Sequence, residues 1–139
     1  MKTLITMPNY DDATSYLYYY AEELVKFAEE KNITVSQLKR PRLRRKILEE
    51  SITKQNPQLL LFNAHGDETT IYGDKVEGEE EYLIREKENH QLLTGRLTYA
   101  ERVAQQLRLE RHARRKMAVS SVTISPLAFG LIRVEQPRL

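Results

Sequence analysis

Residues 58–67 read QLLLFNAHGD, and no other stretch indicates the class of fold as clearly. An apolar run occupies its first half, with Pro57 before it and Gly66 shortly after it. A short, uninterrupted apolar run is typical of a central strand in a parallel sheet, because both faces of such a strand are covered. We therefore predict a buried strand over 58–63, with the pair His65–Gly66 just beyond its carboxyl end.

The segments on either side alternate between strand and helix patterns. Short runs rich in apolar and β-branched residues predict further strands near 2–7, 33–35 and 96–100. Helices are predicted between them, one starting at Thr14 or Ser15 and one opened by Pro41. The packed face of the first helix is predicted to contain Leu17, Tyr20, Leu24 and Phe27. This alternation predicts an α/β fold with a mainly parallel sheet of about four strands flanked by helices.

Weaker signals lie between the third and fourth strands. Residues 69–76, with a turn at Gly73–Asp74, suit a small hairpin. The acidic stretch Glu79–Asn89 is predicted as a turn or a helix. Asp67 and the Gly73–Asp74 turn are expected to flank a cleft at the end of the central strand.

The composition of the 139 residues excludes several functions. The chain has no cysteine, which excludes a disulfide framework, a thiolate metal site and a cysteine nucleophile within it. No apolar run approaches the roughly 20 residues that span a bilayer, and the N-terminus shows no export signal. We expect a cytoplasmic protein that uses no membrane, no metal and no other cofactor; its oligomeric state is open.

A basic cluster precedes the second helix. Its members are Arg40, Arg42, Arg44, Arg45 and Lys46. Such a cluster is one feature of phosphate-binding surfaces. Glu49 and Glu50 follow at the distance of helical neighbours, however, so a mixed, solvated face is favoured and no nucleic-acid partner is expected.

His65 is the candidate catalytic residue on position alone. Sites in α/β sheets are built at the carboxyl ends of the strands, and Gly66 lets the backbone approach a ligand and offers an N–H to an oxyanion. The alternative is a histidine that ends a strand and meets water. His90 and His112 have no comparable setting, and the three histidines show no metal-binding spacing.

The order of the segments LLLFNAHGD, TTIYGD, EYLI and NHQLLTGRLTYA resembles the caspase-like cysteine peptidases, bacterial members included. The resemblance covers residues 1 to about 100 and implies an incomplete caspase-like α/β domain over 1–100. By resemblance, His65 matches the catalytic histidine and Gly66 the glycine whose N–H helps to bind the oxyanion. A peptide or protein is the implied substrate, cleaved by a cysteine–histidine dyad.

The sequence departs from this family at the nucleophile. The resemblance implies a cysteine near Val103, but residues 101–104 read ERVA. Thr98 precedes the required point, and Ser120 and Ser121 come too far along the chain to align with it. The chain is therefore expected to be inactive as a peptidase. The alternatives are a binding module that uses the cleft near His65 or the basic tail, and a hydrolase with an unrelated nucleophile.

The balance of charge changes sign where the resemblance ends. Residues 1–99 carry 14 Lys/Arg and 17 Asp/Glu, whereas residues 100–139 carry 8 and 3. A shift of reading frame after Ala100 explains both changes, because the offset codons can encode a cysteine near position 103 and then a glycine–aromatic strand. On that hypothesis 101–139 is a frameshifted, poorly packed basic tail. The alternative is a genuine tail with a basic helix and a β-segment.

Overall fold

The structure, a computed structural model, describes residues 1–67, 69–103, 119–124 and 132–135. In chain order the elements are β1 (Lys2–Met7), α1 (Asp12–Glu30), β2 (Thr34–Lys39), α2 (Arg45–Gln55), β3 (Leu59–His65), β4 (Thr70–Val76), β5 (Glu79–Arg85), a 3₁₀ turn (His90–Leu93), β6 (Leu97–Val103), β7 (Val119–Ile124) and β8 (Ile132–Glu135).

One sheet contains six of the strands, in the order β2-β1-β3-β6-β7-β8. The strands β2, β1, β3 and β6 are parallel to one another, and β7 and β8 are antiparallel to their neighbours. The predicted α/β class, a mainly parallel sheet flanked by helices, is confirmed. The apolar strand β3 lies between β1 and β6, inside the parallel part, where both of its faces are covered.

Separate cores cover the two faces of the sheet. On one face, Ala21 and Val25 of α1 pack against Ile5 and Met7 of β1, with Leu61 of β3 beside them. The other face packs against α2 and the β4–β5 hairpin. The buried residues of that second core include Leu48 and Ile52 of α2, Leu60, Phe62 and Ala64 of β3, and Ile71, Leu83 and Ile84 of the hairpin. Complete burial of one such side chain contributes about 1.5–3 kcal/mol.

The start of α1 differs from the prediction. Asp11 is the N-cap, and its carboxylate accepts a hydrogen bond from the Thr14 backbone N–H at 2.8 Å. The Thr14 hydroxyl accepts in turn from the Asp11 N–H at 3.1 Å, which completes a capping box. The helix therefore begins before Thr14, because Thr14 occupies the third helical position and not the cap.

The packed face of α1 also differs from the prediction. The helix buries Thr14, Leu17, Ala21 and Val25. Tyr20, Leu24 and Phe27, which the sequence predicts to be packed, are 53%, 46% and 56% exposed. The small side chain of Ala21 lets the helix lie close to β1, and that contact leaves the larger aromatic side chains on the outer flank.

The predicted turn or helix over Glu79–Asn89 is wrong over its first part, which is strand β5. β5 pairs antiparallel with β4, and its Leu83 and Ile84 are fully buried. Burial and pairing with β4 override the weak strand preference of its glutamates. The pair Gly73–Asp74 lies inside β4 where the register shifts, and the turn of the hairpin is formed by Glu77 and Gly78.

The predicted boundary at residue 100 lies inside β6, which continues to Val103. Beyond it, β7 and β8 extend the same sheet, and β7 occupies part of the β-segment of the alternative interpretation. The basic stretch over 103–116, interpreted as a helix in that alternative, lies outside the described residues apart from Val103.

We expect Gly73→Ala to destabilise the protein. A Cβ atom at Gly73 would lie 2.7 Å from Cδ2 of Leu83, and the fully buried Leu83 would have to shift within the packed core. Overpacking of this kind costs about 1–3 kcal/mol in the free energy of unfolding, which urea denaturation measures. The cost should fall in a Leu83→Ala background, because the clashing atoms are then absent. Equal costs in both backgrounds would contradict this account.

Candidate functional site

His65 is the last residue of β3 and not the first residue beyond it. Its side chain is 11% exposed, so it forms part of the packed edge of the sheet. Gly66 follows at once and forms an antiparallel bridge with Ile71 of β4. The chain therefore passes directly from the candidate catalytic residue into the hairpin, and the hairpin closes one side of the site.

Asp11 is the partner of His65. The histidine Nε2 lies 2.7 Å from Oδ2 of Asp11, the residue that also caps α1. In neutral histidine this contact requires Nε2–H to donate to the carboxylate, which leaves Nδ1 as a hydrogen-bond acceptor. Nδ1 is buried and finds no partner within the described part of the chain. A buried acceptor without a hydrogen-bond partner destabilises the protein by about 1–3 kcal/mol. A ligand that donates a hydrogen bond to Nδ1 would remove this penalty.

The Asp11–His65 contact shifts both groups towards their charged forms. Burial raises the pKa of Asp11, but the hydrogen bonds from His65 and Thr14 outweigh it and lower the pKa to about 2. Burial lowers the pKa of His65, but the contact with Asp11 outweighs it and raises the pKa above its ordinary value. The pair therefore favours an imidazolium facing a carboxylate.

Tyr10 covers the other side of the imidazole. Its ring centroid lies 5.7 Å from that of His65, and its hydroxyl donates to the Glu80 carboxylate. Burial, and then the bond to Glu80, raise the pKa of Tyr10 well above its ordinary value, so the hydroxyl stays a donor. Lys75 Nζ lies 6.0 Å from the centroid of the same ring. The β1–α1 connection and both hairpin strands thus converge on His65.

Val103, where the resemblance implies the nucleophile, is the register partner of His65 on the neighbouring strand β6. Adjacent strands lie about 4.8 Å apart, and register partners share a face of the sheet. Position 103 therefore adjoins His65. Ser120 and Ser121 are on β7, which is two strands away from β3 in the sheet. Thr98 is fully buried and pairs with Leu60, which packs in the core on the opposite face from α1.

The acidic residues predicted to flank the cleft have structural partners. The Asp67 carboxylate accepts hydrogen bonds from the backbone N–H groups of Thr69 and Thr70, each at 2.9 Å, and so shapes the turn into β4. Asp74 is almost fully buried and accepts from Arg40 Nε at 2.8 Å. Neither arrangement identifies a catalytic carboxylate.

The basic cluster is partly neutralised within the chain. Arg40 pairs with Asp74, and Arg44 Nε lies 3.1 Å from Glu81. The guanidinium of Arg45 stacks on the ring of Tyr82, 4.3 Å from its centroid. These contacts follow from the docking of the hairpin beside α2, which the local sequence does not reveal.

Sequence reasoning missed Asp11 and Tyr10 as parts of the site. The spacing of Asp11 and Thr14 is a recognisable cap signal, although it says nothing about the contact with His65. That contact joins residues 54 apart in the chain and depends on α1 crossing the sheet above β3.

Within the residues that the structure describes, no helix is both long enough and apolar enough to cross a membrane. No protein-family model, curated protein or solved structure matches this chain.

We expect Asp11→Asn to remove a pH-dependent part of the stability. Asparagine also caps helices, so this change tests the charge more than the cap. Because the pKa of His65 is raised, the histidine contributes stability that is fully present below pH 6.5. This contribution is lost as the pH rises through the raised pKa. Because the pKa of Asp11 is lowered, the carboxylate contributes stability that is present above pH 3.8. This contribution is lost as the pH falls towards about 2.

The difference in unfolding free energy between the wild type and Asp11→Asn should therefore be largest between about pH 4 and pH 6.5. Urea denaturation across this range measures it, and NMR titration should show a lower pKa for His65 in the variant. Asp12→Asn removes a carboxylate one residue away and serves as the control, with the His65 titration nearly unchanged. A difference that is constant with pH would contradict the proposed ion pair.

Proposed function

We propose that this chain is a catalytically inactive homologue of the caspase-like cysteine peptidases, with His65 and Gly66 as the remaining parts of the site. The register of His65 with Val103 supports the proposal. Acyl transfer in such a peptidase requires a thiolate beside the histidine, and valine has no group that can attack a carbonyl. The site thus retains a positioned base and lacks the group that the base would activate.

The surroundings of the histidine fit this interpretation. Asp11 holds Nε2, so the imidazole has a fixed orientation and its Nδ1 is the atom left to exchange a proton with a neighbouring group. A base oriented by a third group is the arrangement that general base catalysis needs. A relic of a peptidase site would keep this arrangement because the same contacts join α1 to the sheet.

We expect Val103→Cys to create a reactive thiol, because position 103 adjoins His65 on the sheet. A thiol beside a histidine has a pKa below the usual value of about 8.5. The chain has no other cysteine, so alkylation by iodoacetamide reports on this position alone. At pH 6.5 the thiol at position 103 should react about tenfold faster than an ordinary surface thiol.

Lys39→Cys provides that reference, because Lys39 also ends a strand at this edge of the sheet but lies two strands away from β3. Adding His65→Ala to Val103→Cys should return the alkylation rate to the reference value. A thiol at position 103 that titrates like the one at position 39, with or without His65, would show that the two positions do not form a dyad.

The proposal also includes a shift of reading frame after codon 100. The loss of resemblance and the change in charge balance at that point support it. The nucleotide sequence from codon 95 onward is expected to show a long alternative frame that encodes a cysteine near position 103. Early stop codons in that frame would show that the tail is genuine, and β7 and β8 would then be inherited parts of the sheet.

A second candidate function is a binding module for a peptide or protein at the cleft beside His65. The buried, unpartnered Nδ1 favours it, because a bound peptide would satisfy this atom with a backbone N–H when the imidazole is neutral and with a backbone carbonyl when it is protonated. Peptide binding by the unchanged chain, lost in His65→Ala, would support this function. A cytoplasmic location belongs to either proposal; a chain without cysteine forms no disulfide, which is typical of proteins in that reducing compartment.

A further inference from the structure

The outer flank of α1 carries an apolar surface that the proposed function does not use. Tyr16, Tyr20, Leu24 and Phe27 form an aromatic stripe whose members are spaced four, four and three residues apart. They are 47%, 53%, 46% and 56% exposed. Few other large apolar side chains among the described residues are exposed to this extent. The rings of Tyr16 and Tyr20 lie 4.9 Å apart, so part of the stripe is already assembled.

The stripe borders the part of the sheet face where Leu97 of β6 is exposed. α1 packs over β1 and β3 on the face that includes Leu61, and Tyr99 of β6 is the register partner of Leu61. Leu97, two residues before Tyr99, shares that face and is 57% exposed. Tyr18, on the opposite flank of α1, packs in the same cluster as Val35 of β2, so the stripe lies on the β6 side of α1.

Among the described residues, α1 is the helix that packs on this face of the sheet, and it lies over β1 and β3 and not over β6. Parallel strands are normally covered on both faces, and neighbouring helices in one layer pack 8–10 Å apart. The stripe has the alternating three- and four-residue spacing of a helix-packing seam. An occupant that packs on the stripe and on Leu97 at once is therefore helical, with apolar side chains along one face.

The charges along α1 determine what kind of helix fits. Asp12, Glu23 and Glu30 are exposed and lie three or four residues from members of the stripe, so they form an acidic row along its border, in which Glu23 also pairs with the exposed Lys26 at 3.7 Å. A second copy of α1 in the same space would bring two acidic rows into one interface. A helix with lysine or arginine on its border would instead pair with the row.

One cation of the chain already lies against an aromatic ring of the stripe. Lys31 Nζ lies 5.4 Å from the centroid of the Phe27 ring. Cations are attracted to aromatic faces, and the exposed rings of Tyr16 and Tyr20 offer the same contact to a partner. We propose that the aromatic stripe, its acidic row and the adjoining face of β6 dock an amphipathic helix with a basic border, supplied by another protein. This inference does not depend on the chemistry at His65.

The probe for this surface is a synthetic helical peptide of about 18 residues, with leucine along one face and lysine elsewhere. Calorimetry with the full chain should show saturable binding, and the same peptide with glutamate in place of lysine should not bind. Chemical-shift mapping on the unchanged chain should place the contact at the stripe and Leu97. Leu24→Ala combined with Phe27→Ala should weaken binding at least about tenfold, because it removes the apolar contact.

Two charge-reversal variants provide a matched comparison. Glu23→Lys with Glu30→Lys reverses the acidic row, whereas Glu22→Lys with Glu29→Lys makes the same change of net charge on the flank of α1 away from the stripe. The first should weaken peptide binding about tenfold and the second less than about twofold. Circular dichroism checks that both variants keep the helix.

Equal effects of the two variants, or no binding of the basic peptide, would overturn the proposal. So would a dimer in sedimentation that Leu24→Asp dissociates, since the occupant would then be a second copy. Binding only to vesicles that contain phosphatidylserine, with loss in Phe27→Asp, would assign the stripe to a membrane surface and reject the helical partner.

Discussion

The contact between Asp11 and His65 joins the two parts of the fold on which the site depends. The Asp11 carboxylate caps α1 through Thr14 and also accepts from the imidazole at the end of β3. One side chain therefore caps the start of the helix and orients the histidine. The ionised forms of both residues favour this arrangement, so the electrostatics of the pair and the docking of α1 are linked.

Parallel pairing determines what else reaches this point. The carboxyl ends of β1, β3 and β6 meet at one edge of the sheet, so His65 and position 103 become neighbours although 38 positions separate them in the chain. The hairpin packs against the same edge and brings Tyr10 into contact with Glu80. This edge of the sheet thus brings the β1–α1 connection, the hairpin and the end of β6 together around His65.

The helix α1 packs against the sheet with one face and exposes an apolar flank beside that face. Its buried face carries Leu17, Ala21 and Val25, and it holds the helix on β1 and β3. The aromatic stripe on the next flank would be an unusual surface for a domain that acts alone, because contiguous exposed apolar patches usually mark interaction sites. The acidic row favours a partner with positive charge, a preference that the apolar residues alone would not give.

The sequence by itself determined the class of fold, because the apolar run of β3 and its alternation with amphipathic segments depend on local periodicity and burial. It also indicated His65, since a histidine next to a glycine at a strand end is a local pattern. Tertiary structure alone decided that Glu79–Arg85 is a strand, because its pairing with β4 overrides the preference of an acidic run. It likewise decided which face of α1 is buried, since the helix offers two apolar flanks and only the shape of the sheet selects between them. The partner of His65 was decided in the same way, because a contact across 54 residues depends on how α1 crosses the sheet and leaves no trace in local spacing.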